Sequence, residues 1–206
     1  MKEKAVPPNH LVLAFSYNII GLLASNMKNY SEALEFNEKA VKVAEESQPR
    51  NHVILVLAYE SIGIVHENMG EYSKALDYYE KSLKIKQESQ PLDQCNLAAS
   101  YHSIGWVYNS MGDYSKALEF NEKALKIREE LQPPNQRDMA HSYNNIGIVY
   151  NNMSEYSKAL DFHKKANQIY KNVLPPNHPD LATSYNNIGL VYDSMGDYGV
   201  IEVLRN

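Results

Sequence analysis

Glycine recurs at Gly21, Gly63, Gly105, Gly147 and Gly189, one every 42 residues. The same step links Tyr17, Tyr59, Tyr101, Tyr143 and Tyr185, and Met27, Met69, Met111, Met153 and Met195. Tyr30, Tyr72, Tyr114, Tyr156 and Tyr198 keep it too, as do Ala33, Ala75, Ala117 and Ala159. Register of this kind over five copies makes the chain a repeat array, and rules out reading its 206 residues as one ordinary globular domain.

Each unit reads as two helices. Tyr143, Ile146, Gly147, Tyr150 and Met153 form a single stripe at the helical period, so the tyrosines and methionines are expected in the core. A Met-Gly-Asp-Tyr break at Met111–Tyr114 follows, where Gly70, Gly112 and Gly196 suit the left-handed turn that ends a helix. Lys28 and Ser154 stand at the same position and should strain the backbone there. The second helix, roughly Tyr114–Leu131, turns Ala117, Leu118, Phe120, Ala124, Leu125 and Ile127 inward and carries Glu119–Lys123 and Glu122–Lys126 pairs outside. All nine prolines fall in the connections. Asn9, Asn51, Asp93, Asn135 and Asn177 share one position before the next helix and are expected N-caps, with Asp138 or Asp180 following in the last two copies.

Composition narrows the functional classes. A net charge of −5 with a pI near 5.8 leaves no basic footprint for nucleic acid or anionic lipid. No apolar run approaches the ~20 residues of a membrane span, and Met1–Pro8 does not resemble a signal peptide. The single cysteine, Cys95, excludes an internal disulfide framework and suits a reducing compartment, so a cytoplasmic protein is expected. No Gly-rich phosphate loop, HExxH or nucleophile elbow is present, and Cys95 reads as a linker residue. No catalytic residue, cofactor or metal is therefore expected; His10, His52 and His178 read as solvated loop residues beside the caps.

These residues resemble the tetratricopeptide-repeat (TPR) pattern. With Tyr143 as its first aromatic, Ile146–Gly147 match its Leu-Gly, Tyr150 its second aromatic, Ala159 and Ala166 its small second-helix positions, and Pro175 its closing proline. The resemblance implies an all-α, right-handed α-solenoid of helix-turn-helix units, four full repeats plus a partial fifth. The boundaries drawn are 1–13 for the end of a preceding repeat, 14–55, 56–97, 98–139 and 140–181 for full repeats, and 182–206 for the partial one. The 42-residue period, SYNNIGLVY and LPPNHPDLATSYNNIG resemble kinesin light chain repeats, which implies a protein- or peptide-binding scaffold, a cargo or adaptor module. The heptads that join a light chain to its heavy chain are missing from this sequence.

In a TPR superhelix the first helices line the concave surface. The candidate peptide groove is accordingly Asn144, Asn145, Ile148 and Asn151, with His102, Trp106, Asn109, His141, Asn186 and Asn187. Asparagine carries both donor and acceptor and can hold a peptide backbone without reading its sequence, while Trp106 offers an apolar anchor. The resemblance places ligand-contacting asparagines at Asn145 and Asn187. No Lys or Arg lies in Ser100–Met111, Ser142–Met153 or Ser184–Met195, which disfavours an acidic ligand. Two alternatives are a regulatory or sensor array belonging to a larger signalling protein, and a structural array that self-associates. Ile201 and Glu202 replace the small alanine and the leucine of other units, so an uncapped C-terminal edge open to self-association is expected.

Overall fold

The computed structural model describes residues 8–47 and 49–196, among which there are α-helices and no strand. The expectations about residues 1–7, Ile201 and Glu202 fall outside the described residues. First helices are α1 (Pro8–Asn26), α3 (His52–Asn68), α5 (Gln94–Ser110), α7 (Gln136–Asn152) and α9 (Pro179–Ser194). Second helices are α2 (Tyr30–Glu46), α4 (Tyr72–Glu88), α6 (Tyr114–Glu130) and α8 (Tyr156–Val173). The chain divides within α5 into two compact units, 1–100 and 101–206. In the first, α1 packs on α2, α2 on α3 and α3 on α4; in the second, α6 packs on α7, α7 on α8 and α8 on α9. Among the described residues, no helix is long and apolar enough to cross a membrane.

The helix starts follow from capping. Asn51 Oδ1 accepts from the Ile54 N–H at 3.0 Å, Asp93 Oδ1 from Asn96 at 3.0 Å and Asn135 Oδ1 from Asp138 at 3.3 Å. Helices α3, α5 and α7 therefore begin at 52, 94 and 136, upstream of the boundaries drawn at 56, 98 and 140. Two expected caps are corrected. Asn9 lies inside α1, and at the last start Pro179 occupies N1, which moves the cap one residue on to His178. The His178 Nδ1 accepts from the Asp180 N–H at 3.1 Å, so this histidine caps a helix instead of lying free in a loop. His52 and Cys95 are likewise exposed helix residues in the first turns of α3 and α5.

At the turn between helices, Gly70, Gly112 and Gly196 have φ between 73° and 80°, and Lys28 and Ser154 are held at 61°. The methionines just before this turn are a correction. Met27, Met69, Met111, Met153 and Met195 are 39–80% exposed, because the last helical turn is over and the stripe no longer continues through them.

The periodic glycine has a steric cause. A Cβ on Gly21 would stand 2.5 Å from Asn37 Oδ1; on Gly63, 2.7 Å from Tyr79 Cε1. On Gly105 it would meet Asn121 Nδ2 at 2.9 Å, and on Gly147 His163 Cε1 at 2.8 Å. Each of α1, α3, α5 and α7 thus lies against one buried side chain of its own second helix, in a column the apolar stripe does not reveal, whereas a Cβ on Gly189 of α9 would meet nothing within 4 Å among the described residues. Ala14, Ala40, Ala44, Ile54, Leu55 and Ala58 form a core in the first unit; Ala140, Ala166, Tyr170 and Leu181 form one in the second. Leu55, Ile62, Ile104 and Ile146 are at most 1% exposed, and burial of each contributes about 1.5–3 kcal/mol.

Aromatic residues seal the outer side. Tyr17–Phe36, Tyr59–Tyr78, Tyr101–Phe120 and Tyr143–Phe162 approach at 5.9–6.2 Å between centroids, and Tyr108–Phe120 and Tyr150–Phe162 stack at 5.6 and 5.4 Å. A lysine covers each second-helix ring: Lys39, Lys81, Lys123 and Lys165 stand 4.5–5.1 Å from the centroids. Lys123 also pairs with Glu119 at 2.6 Å, as the spacing predicts. The tyrosine column is packing, not a ligand cage.

Candidate functional site

The candidate residues lie in the second unit, on the first helices α7 and α9 and on residues 101–110 of α5. Their side chains do not share one role. Asn144 is a correction: it is only 8% exposed, and its Oδ1 accepts from His163 Nδ1 at 2.7 Å. The close approach permitted by Gly147 brings His163 of α8 against this side of α7, so Asn144 is committed to its own repeat. His102 occupies the same column one period earlier and bonds with the Asn121 side chain, so the pair recurs with its partners exchanged. In the first unit the column holds Asn18, which donates to Asn37 Oδ1 at 3.1 Å and to Ser61 Oγ at 3.0 Å.

Both histidines are neutral near pH 7. Desolvation lowers His163 to about 4. It also lowers His102 to about 4, with Arg128 and His141 pushing the same way and Asn121 opposing. Neutral His102 keeps Nδ1 as an acceptor for Asn145 Nδ2 at 2.9 Å, which ties α7 to α5. A second bridge of the same kind runs from Asn152 Nδ2 to Asn109 Oδ1 at 3.0 Å. The partly exposed Asn145 thus stands one residue past the inward-facing Asn144, on the open side of the helix.

Between these amide bridges the surface is apolar. Trp106 is 39% exposed and Leu190 51%, and Ile148 is half-buried. Asn186 is exposed and Asn187 half-buried. The buried Oδ1 of Asn151 has no hydrogen-bond partner among the described residues. His141 lies at the other end of α7, its Nε2 3.5 Å from Asp180 Oδ2 and its ring edge-on to Tyr170 at 5.7 Å. Burial lowers its pKa while Asp180 acts in the opposite sense. Arg137 reaches the same carboxylate at 2.8 Å, so His141 belongs to an ionic cluster instead of the apolar seam. The first unit has its own exposed seam residues, Leu22 and Ile64 at 45% and 41%.

Two cations escaped a reading confined to first helices. Lys86 of α4 bonds to Glu60 at 2.5 Å and Ser100 Oγ at 2.8 Å; Arg128 of α6 bonds to Ser142 Oγ at 2.6 Å. They sit at one repeat position, visible in the sequence only when second-helix columns are compared with the first helix that follows. Among the described residues, no His, Cys, Asp or Glu cluster is arranged to hold a metal.

The tetratricopeptide-repeat family model matches residues 11–88, 55–130 and 138–202. The chain belongs to the tetratricopeptide-repeat family. This TPR array matches the crystal structure of BtubC (BKLC) from P. vanneervenii with a TM-score of 0.80 and 22% identity, over 96% of this chain and 79% of that one. It matches the nearly identical TPR-like repeats of a proposed kinesin light chain of Podosopora anserina at 0.75 and 16%, over 92% and 90%. A STAND (signal transduction ATPase) protein with a TPR sensor from Pyrococcus horikoshii matches at 0.81 and 16%, over 95% of this chain and 29% of that one. At these identities the likeness is one of fold. No curated protein matched the sequence.

Proposed function

We propose that this TPR array is a non-catalytic scaffold that binds an extended, neutral or apolar peptide segment of a partner protein on the first-helix face of its second unit. One observation carries the reading: exposed Trp106 and Leu190, with Ile148 beside them, form an apolar seam flanked by the amides of Asn145, Asn109 and Asn152. An apolar side chain gains by covering the seam, while amides at its border offer hydrogen bonds to a peptide backbone. Asn145, Asn187 and Trp106 are assigned direct contact; Asn144 and His102 hold the face in place. A cargo or adaptor role of light-chain type is the finer form of this reading, supported by the period and by the Podosopora anserina likeness.

The test is a titration of peptides selected on the wild-type protein against Trp106→Ala and Asn145→Ala/Asn187→Ala, with circular dichroism as the folding control. Loss of about tenfold or more in affinity for Trp106→Ala is expected of a buried aromatic anchor. Unchanged affinity in both folded variants would remove the assignment. The sensor-array alternative has support in the Pyrococcus horikoshii likeness, and it predicts that ligand binding changes the activity of a linked output domain.

A further inference from the structure

The first unit contains a cavity of about 290 Å³ between α3, the end of α4 and the start of α5. Val53, Val56, Leu57 and Pro91 form its apolar walls, and Glu60, Lys86 and Asp93 its charged lining. Lys86 is already spent: its ammonium bonds to Glu60 Oε1, Ser100 Oγ and the Asn96 carbonyl. Glu60 Oε1 also accepts from Ser82 Oγ at 3.2 Å. The Asp93 carboxylate accepts from Asn96, through its N–H and Nδ2. The lining thus sets two carboxylates, Glu60 and Asp93, against one ammonium, Lys86, an excess of one acidic group.

The same place two periods later shows what fills such a space. Arg137 stands where Val53 does, His141 where Leu57 does and Asp180 where Asn96 does. There Arg137 Nε and Nη2 each lie 2.8 Å from Asp180 Oδ2, with His141 Nε2 at 3.5 Å. That repeat supplies its own guanidinium to balance its carboxylate. The earlier repeat has valine, 70% exposed, at the arginine's position; its carboxylates are Glu60 and Asp93, where the later repeat has Asn144 and Asn177.

From this we infer that the cavity is a binding site for an arginine side chain presented by a partner protein. The methylene stem lies along Val53, Val56, Leu57 and Pro91, and the guanidinium pairs with Glu60 Oε2 and Asp93. The planar fork of arginine matches carboxylate geometry, which a compact ammonium does not.

The site is tested on methyl-labelled protein by NMR titration with Nα-acetyl-arginine N-methylamide and with its citrulline, lysine and norleucine counterparts. The arginine probe should shift the Val53, Val56 and Leu57 methyls saturably and bind about threefold tighter than citrulline, as a half-exposed ion pair allows. Val53→Arg, a surface change that copies the later repeat, should abolish those shifts. Asp93→Asn keeps a cap of equal quality and removes the surplus charge, so the arginine preference should fall to parity. Equal binding of citrulline or norleucine, retained binding by Val53→Arg, or a preference for lysine would overturn the assignment. The probes are single residues and the methyls belong to the first unit, so the result is read separately from peptide binding at the Trp106 face.

Discussion

Replacing Gly147 by alanine adds one methyl at the most constrained contact of its repeat. Its Cβ would meet His163 Cε1 at 2.8 Å and both ring nitrogens at 2.9 Å, inside any tolerable contact. The ring cannot swing away cheaply, because it is 1% exposed and its Nδ1 is bonded to Asn144. Overpacking of this kind costs about 1–3 kcal/mol. Loss of the buried hydrogen bond adds about 1–3 kcal/mol. Alanine returns about 1 kcal/mol of helix propensity, so the net destabilisation is about 1–5 kcal/mol. The double-mutant cycle decides the cause. In a His163→Ala background the clash and the bond are both gone, and Gly147→Ala should become stabilising by about 1 kcal/mol. Urea unfolding followed by circular dichroism measures all four variants, and equal slopes license comparison of their midpoints. If Gly147→Ala destabilises equally in both backgrounds, or stabilises the wild type, the glycine column is not set by this contact.

Three further outcomes follow from named contacts. His163 has a folded pKa lowered to about 4 from 6.5, so the unfolded chain binds the proton first; stability is full above pH 6.5 and falls as pH drops from 6.5 towards 4. In melting curves across that window, His163→Asn, which copies the Asn18–Asn37 pair, should show a shallower pH dependence than wild type. Ser154→Gly relieves a residue held at φ 61° and should raise stability by about 1 kcal/mol in urea unfolding, whereas Gly112→Ala at φ 80° should lower it by a similar amount. Asn144→Ala and Asn145→Ala separate two neighbouring asparagines. The first leaves His163 unpaired and should cost about 1–3 kcal/mol of stability; the second should weaken peptide binding with little effect on the melting temperature.

The periodic residues revealed the fold because each reports a packing demand that every repeat must meet: a close helix approach at glycine, a small residue at Ala33 or Ala117, a left-handed turn at Gly70. The site was harder to read for a geometric reason. A helical wheel gives the direction of Asn144 and Asn145 about α7, but not which direction the second helix occupies, and that depends on a residue sixteen positions beyond the glycine. Asn37, Asn121 and His163 fill that column with polar side chains, so an apolar-stripe reading leaves them out of the core and leaves their partners Asn18, His102 and Asn144 looking free. The methionines mislead in the opposite way: their spacing continues the stripe past Asn152, where the helix stops and Met153 turns to solvent. What remains of the candidate face is smaller and better defined. Its polar members are those with a hydrogen bond to the neighbouring first helix, such as Asn145 and Asn152, because a bond across repeats keeps the amide at the surface while a bond within the repeat draws it under. The same distinction separates Trp106 from the sealed tyrosines: it lies one residue from Val107, which is fully buried, yet it has no second-helix ring to cover it.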